Sequence, residues 1–317
     1  MGERPDEATL AAVEAALEEY PDARFRARLR RELERSIRMT PTRGRPAVIP
    51  YIMTQDVEPL IAFVTRAFEA TEVQRGIGSA GGIHCELRVG DTPLMFGGAV
   101  PREPVRPRLL GLHVYVEDAD AVYRRALDAG ATSLGAPADR PYGERAGFVA
   151  DPAGNHWYIA TRTGPTYFAE EPRTVTPHLY VRRTAGAGAP RFITFLEAAF
   201  GAAVEMRHDA GGRVVHVVVR VHGTAIEIGE GDEAQFGAPA AFVVSVDDCE
   251  AAYRQALAAG ATSLSPPARQ AFGGWMAGVA DPWGNEWYLA SAGQGRRARG
   301  SRTTPRRAAG GSRSPRK

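Results

Sequence analysis

Cysteine is nearly missing from this chain, lysine is scarcer still, and long apolar runs are lacking altogether. Two cysteines in 317 residues, Cys85 and Cys249, are too few for a disulfide framework. Both sit in apolar or helical stretches, where they are expected to be inert small core residues of a protein in a reducing, cytoplasmic setting. Lys317 is the only lysine; with arginine elsewhere and abundant alanine and glycine, this reflects codon usage in a GC-rich genome and carries no function. No stretch approaches the roughly eighteen apolar residues of a membrane span, and the opening MGERPDEATL has acids where a signal peptide needs an apolar core. A soluble protein without a membrane partner is expected.

What is present is repetition. DPAGNHWY at 151–158 returns as DPWGNEWY at 281–288, and YRRALDAGATSL from Tyr123 returns as YRQALAAGATSL from Tyr253. The constant offset makes the unit a whole domain used twice rather than a short solenoid repeat. The division predicted is an N-terminal segment over 1–46, domains over 47–163 and 173–292, and a tail over 293–317.

The ends differ from the middle. Leu10, Val13 and Leu17, then Phe25, Leu29, Leu33 and Ile37, fall at helical spacing and predict two amphipathic helices, read as a brace docked on the first domain or a partner-binding hairpin. The tail is Gly, Ser, Pro and Arg with little to bury, which predicts disorder and at most weak nonspecific contact with a polyanion. The chain's formal net charge of +2 becomes −7 once the nine positive charges after Ser291 are set aside, so the rest is mildly acidic.

Between the ends the pattern switches repeatedly from strand to helix to strands. A strand from Val48, a helix near 57–69 and strands near 83–89 and 93–96 give a β-α-β-β-β unit whose second strand is weakly marked. A strand at 112–116, a helix at 118–129 and strands near Thr132, 147–150 and 155–160 give another. Residues 174–291 repeat both, with RRTAGAGAP at 182–190 inserted as a surface loop.

Four such units in two pairs resemble the vicinal oxygen chelate superfamily of glyoxalase I, bleomycin resistance proteins and extradiol dioxygenases. IHCELRVGDTPLMF from Ile83, HVYVEDADAVYRRALDAGAT from His113 and PYGERAGFVADPAGNHWYIAT from Pro141 resemble its PhnB-like branch. The resemblance implies an α+β fold with two tandem domains, each a pair of βαβββ modules curled into a sheet cup. These phrases are largely architectural: Asp-Pro-x-Gly-Asn is turn chemistry, and Ala-Gly-Ala closes a helix.

Strand alternation indicates which side chains line a cup. With Trp157, Ile159, Trp287 and Leu289 assigned to the core, the ligand-facing set is Tyr51, His84, Glu86, Arg88, His113, Tyr115, His156 and Tyr158 in the first half. In the second it is His178, His216, Glu227, Glu286 and Tyr288. His84, Glu86 and Glu227 are the catalytic candidates, and Tyr142, Glu144 and Arg145 form a loop at the cup's edge.

The metal enzymes of the superfamily carry His or Gln on the first and fifth strands and Glu on the fourth and eighth. Here those slots align with Ile49, Met95, Gly111 and Tyr158, and with Thr176, Glu227, Ala241 and Tyr288, so only Glu227 is a good ligand and no metal cofactor is expected. A displaced divalent site using Glu227, His113, His156 and His178 needs the modules to be exchanged between halves, and alternation leaves both pairings open. The function expected is metal-independent binding of a small-molecule ligand in the first-half cup. The alternatives are a lyase, isomerase or dioxygenase, metal-assisted or using a His and Glu acid-base pair, and an interaction protein using the basic tail. Both a monomer with pseudo-dimeric domains and a homodimer fit this reading.

Overall fold

The computed structural model describes residues 45–78, 81–98, 106–164, 172–182, 188–231, 239–270 and 273–292. The expected N-terminal helices and basic tail lie outside the described residues. Four modules of identical order follow one another. The first is β1 (Val48–Thr54), α1 (Glu58–Phe68), β2 (Thr71–Ile77), β3 (Ile83–Val89) and β4 (Thr92–Gly98); the second is β5 (Gly111–Tyr115), α2 (Ala119–Asp128), β6 (Thr132–Arg140), β7 (Glu144–Ala150) and β8 (His156–Arg162). The third is β9 (Val175–Arg182), α3 (Ala189–Phe200), β10 (Ala203–Ala210), β11 (Arg213–Val221) and β12 (Thr224–Gly231); the fourth is β13 (Ala241–Ser245), α4 (Cys249–Ala258), β14 (Thr262–Arg269), β15 (Trp275–Ala280) and β16 (Glu286–Ser291).

The modules pair across the halves. One eight-stranded sheet runs β14-β15-β16-β13-β1-β4-β3-β2 and joins the first module to the fourth; the other runs β10-β11-β12-β9-β5-β8-β7-β6 and joins the second to the third. Of the two pairings that alternation left open, the exchanged one is formed. Residues 47–163 and 173–292 are units of sequence similarity, and each contributes one module to each cup. No cup is built from the first half alone, which corrects the expectation of a first-half pocket.

The helices keep each half together. Phe68 at the end of α1 stacks on Trp157 of β8 at 4.4 Å, and Phe200 of α3 packs on Trp287 of β16 at 4.8 Å, so the aromatic core bridges the two sheets within each half. Both tryptophans are fully buried, as their strand parity required. Asp118 and Asp248 cap α2 and α4 by accepting backbone N–H bonds.

The repeated Asp-Pro-x-Gly-Asn phrase fixes the strands that form the cup floors. Asp151 accepts from the Trp157 indole N–H at 2.9 Å and from Asn155 Nδ2 at 2.8 Å, while Asn155 Oδ1 accepts the backbone N–H of Leu110 at 3.0 Å and so anchors the entry to β5. Asp281, Trp287, Asn285 and Ala240 repeat this arrangement before β13. The β5–β9 seam is tight: a Cβ on Gly111 would lie 2.6 Å from the His178 carbonyl oxygen, so only glycine fits there.

Candidate functional site

Ionisable residues concentrate in the cup of the second and third modules. β5 and β9 run antiparallel at its centre, with Gly111 opposite His178 and His113 opposite Thr176. His113 is in register with Tyr158 on β8, and His178 with Glu227 on β12, so the two pairs are related by the pseudo-twofold of the sheet. Each β5- or β9-type slot lies two residues further along the same face than the sequence alignment placed it. The centre is occupied by His113 and His178 in place of Gly111 and Thr176, whereas Tyr158 and Glu227 stand where expected.

His178, His216 and Glu227 each offer a donor atom, all within 4.8 Å of one another. Glu227 therefore has two histidine nitrogens beside it, where alignment of the strand slots gave it none. Two imidazoles and a carboxylate suit zinc and the divalent transition metals. His113 joins the group through Glu227, its Nδ1 lying 3.0 and 3.2 Å from the two carboxylate oxygens. His178 Nδ1 is 3.5 Å from Glu227, and its Nε2 is buried without a hydrogen-bond partner. A buried imidazole nitrogen left without a partner fits a residue that awaits a ligand. His216 belongs to this set although the displaced site read from sequence omitted it; His156, which that site included, is not among the converging donors.

The charges are coupled. Burial opposes the imidazolium of His113, yet the hydrogen-bonded Glu227 carboxylate and the nearby Glu144 carboxylate raise its pKa to about 9. Burial likewise opposes ionised Glu227, but His113 holds its pKa down at about 2. Burial lowers the pKa of His178 to about 3, and that of His216 also falls. The metal-free cup therefore holds an imidazolium on His113 beside the Glu227 carboxylate, with neutral His178 and His216 facing it.

Aromatic rings surround the group. Tyr180 stacks on His178 at 4.2 Å, Tyr115 lies over His113 at 4.2 Å, and Tyr158 meets His113 edge-on at 4.4 Å with Phe148 behind it. Gly229, opposite His216 in the continued β11–β12 register, leaves space beside His178: a Cβ there would sit 3.5 Å from Nε2 and 3.0 Å from the Val215 carbonyl. Tyr142 of the edge loop hydrogen-bonds Tyr158, and Glu144 is buried with Oε2 3.5 Å from His113 Nε2. Arg145 instead pairs with Asp120 on the outside and lines nothing.

The other cup has a different character. Its equivalent central positions are Tyr51, Met95, Val243 and Tyr288, and Ile49, Met95 and Val243 form an apolar cluster beneath the two tyrosines. Glu86 is held at both oxygens by Arg45 at 2.9 and 2.6 Å, so it is not the partner of His84 in an acid-base pair. Glu286 is bound by Arg108 and by the Tyr288 hydroxyl. His84 packs edge-on against Tyr51 with its pKa lowered by burial, and Arg88 is exposed at the end of β3. The catalytic candidates His84 and Glu86 thus lie in one cup and Glu227 in the other.

The family model described as "Glyoxalase/Bleomycin resistance protein/Dioxygenase superfamily" matches residues 47–159 and 185–289, more than half of the chain. The chain belongs to this superfamily. Among its relatives, uncharacterized protein Mb0911c of Mycobacterium bovis is 38% identical over 124 residues, covering 36% of this chain and 82% of the relative. Uncharacterized protein Rv0887c of Mycobacterium tuberculosis is also 38% identical over 124 residues, covering 36% of this chain and 73% of the relative. Two solved structures align with most of the chain. Glyoxalase I from Zea mays aligns with a TM-score of 0.59 at 13% identity, over 77% of this chain and 92% of that one. A putative dioxygenase from Bacillus subtilis aligns at 0.53 and 16% identity, over 80% and 87%. At these identities the likeness establishes the fold alone. Among the described residues, no helix is long and apolar enough to cross a membrane.

Proposed function

We propose that the protein is a metal-assisted small-molecule enzyme of the lyase, isomerase or dioxygenase type, working in the cup of the second and third modules. The observation that carries this is the convergence of His178, His216 and Glu227 within 4.8 Å at the centre of an aromatic-walled cup. The matching centre of the other cup, with Tyr51, Met95, Val243 and Tyr288, lacks such a set. His178, His216 and Glu227 would hold one divalent cation, and His113 Nδ1, against the Glu227 carboxylate, would be placed as a further donor. A cation held there would supply Lewis-acid polarisation of carbonyl or hydroxyl oxygens of a substrate. The chain's own residues supply the rest: Tyr115, Tyr158 and Tyr180 wall the substrate space and exclude water, and Tyr142 ties the edge loop to β8.

A thermal-shift screen of chelator-treated protein tests this. Zinc, nickel, cobalt, manganese and ferrous iron are added singly, followed by dicarbonyls, thiol adducts and catechols. Stabilisation by a metal, enlarged by one substrate class and absent in Glu227→Ala, supports the proposal. No metal response in wild type would reject it.

A second reading, metal-independent binding, is favoured by the first-and-fourth-module cup, where Tyr51, His84 and Tyr288 stand edge-on over the apolar floor and Arg108 Nε is buried without a partner. Its mark is a stabilising ligand whose effect survives chelator and Glu227→Ala but is lost in Tyr51→Ala.

A further inference from the structure

We infer that Glu144 is the positioning carboxylate of the cation site, accepting the His113 Nε2 proton so that Nδ1, which donates to Glu227 in the metal-free cup, is the nitrogen that gives up its proton to a bound cation. This rests on the metal-binding reading above. The His113 ring spans two carboxylates: Nδ1 is 3.0 Å from Glu227 Oε1, and Nε2 is 3.5 Å from Glu144 Oε2. Both His113 and Glu144 are buried, at 3% and 2% exposure. Neither His113 Nε2 nor Glu144 Oε2 has a hydrogen-bond partner, so the two orphaned polar atoms face each other just beyond bonding distance. A carboxylate taken out of water at this depth is costly unless a specific charge or donor compensates it. The His113 N–H is the group placed to do so.

The chemistry of imidazole gives this contact its meaning. A ring that binds a cation through one nitrogen carries its proton on the other, and the acceptor of that proton fixes both tautomer and ring orientation. Tyr158 stands on β8 where Glu227 stands on β12, so the His113 side lacks the carboxylate its pseudo-symmetric counterpart has. Glu144 restores one from the start of β7, behind the ring rather than beside it. Its placement is locked by the neighbouring turn, where Tyr142 hydrogen-bonds Tyr158 and Gly143 adopts a φ of 85°. One repeat later the same position is Gly274, so the other cup has no counterpart. The device belongs to the cup with converging donors.

Full-length protein stripped with chelator and titrated with Co(II) and Zn(II) tests the assignment. Wild type should bind one equivalent. Glu144→Leu, which removes the acceptor, should weaken affinity by about 10- to 100-fold and alter the Co(II) absorption spectrum. Glu144→Gln, which keeps an acceptor without the charge, should fall between the two, with circular dichroism of both metal-free variants matching wild type. In the Zn(II)-loaded wild type, imidazole 15N shifts should show His113 protonated at Nε2 and bound through Nδ1; this measurement stands even where Glu144→Leu does not fold. Full affinity and an unchanged spectrum in folded Glu144→Leu, or a proton found on Nδ1, overturns the role of Glu144 and leaves the metal reading standing. Wild type that binds neither ion overturns both.

Discussion

Raising the pH of the metal-free protein from 7 to 8.5 should destabilise it by about 2 kcal/mol through one residue, His113. Its folded pKa of about 9 lies above the ordinary 6.5, so the folded state binds the proton more tightly than the unfolded chain. The associated stability is fully present below pH 6.5 and disappears as pH rises through 9. A difference of about 2.5 units corresponds to about 3 kcal/mol, of which about 2 kcal/mol is lost between pH 7 and 8.5. The window is chosen around the other groups. Burial lowers the pKa values of His84, His156, His178 and His216, which adds stability as pH rises but only up to about 6.5. The thiols of Cys85 and Cys249, pushed up to about 11, lower stability mainly above pH 8.5. Urea unfolding of chelator-treated protein at pH 7.0, 7.5, 8.0 and 8.5 measures the slope. Glu227→Gln, which removes the charge that raises the His113 pKa, should abolish most of it. A wild-type profile that is flat across this window, or one equally steep in Glu227→Gln, would refute the charge pairing inferred for His113.

Three further outcomes follow from the same geometry. Gly229→Val should weaken cation binding at least tenfold with a smaller effect on folding, because the added branch would press on the Val215 carbonyl and on His178; unchanged affinity in a titration would show the glycine is not needed there. Asp151→Ala should cost about 1–3 kcal/mol in chemical denaturation by orphaning the buried Trp157 indole N–H and Asn155 amide, and Asp281→Ala should cost a similar amount. Glu286→Gln should destabilise by loosening Arg108 and Tyr288 yet leave metal stoichiometry intact, since it lies in the other cup; loss of metal would break the separation of the two sites.

The fold was legible because its signals are local and repeated. Alternation placed Trp157 and Trp287 in the core and turned Tyr158, Glu227 and His178 inward, and the Asp-Pro-x-Gly-Asn phrases marked two identical turns. The partnering of modules was not legible, because β5 and β13 present the same apolar edge pattern whichever first strand they meet, and only tertiary packing selects β9 and β1. The centre of the cup was misplaced by two residues for a related reason. Same-face neighbours on a strand are equivalent by alternation, and only the opposition of Gly111 to His178 fixes which one sits on the pseudo-twofold. Arg45 escaped because it precedes the first strand, where no period applies, and Glu144 reads from sequence only as part of an edge loop that gates the cup or closes a turn. The one clue to Glu144 was an acidic residue flanked by Gly143 and Tyr142 in the edge loop. Alternation pointed His216 toward the cup, and its convergence with Glu227 depends on β11 lying next to β12.

Metal content measured by native mass spectrometry, on protein reconstituted with each divalent ion after chelation, addresses the central claim most directly. One ion per chain is expected in wild type and in Tyr51→Ala, with none retained in His178→Ala combined with Glu227→Ala. A wild-type chain that keeps no ion, or a double variant that keeps it, would contradict the assignment of the cation site to the second-and-third-module cup.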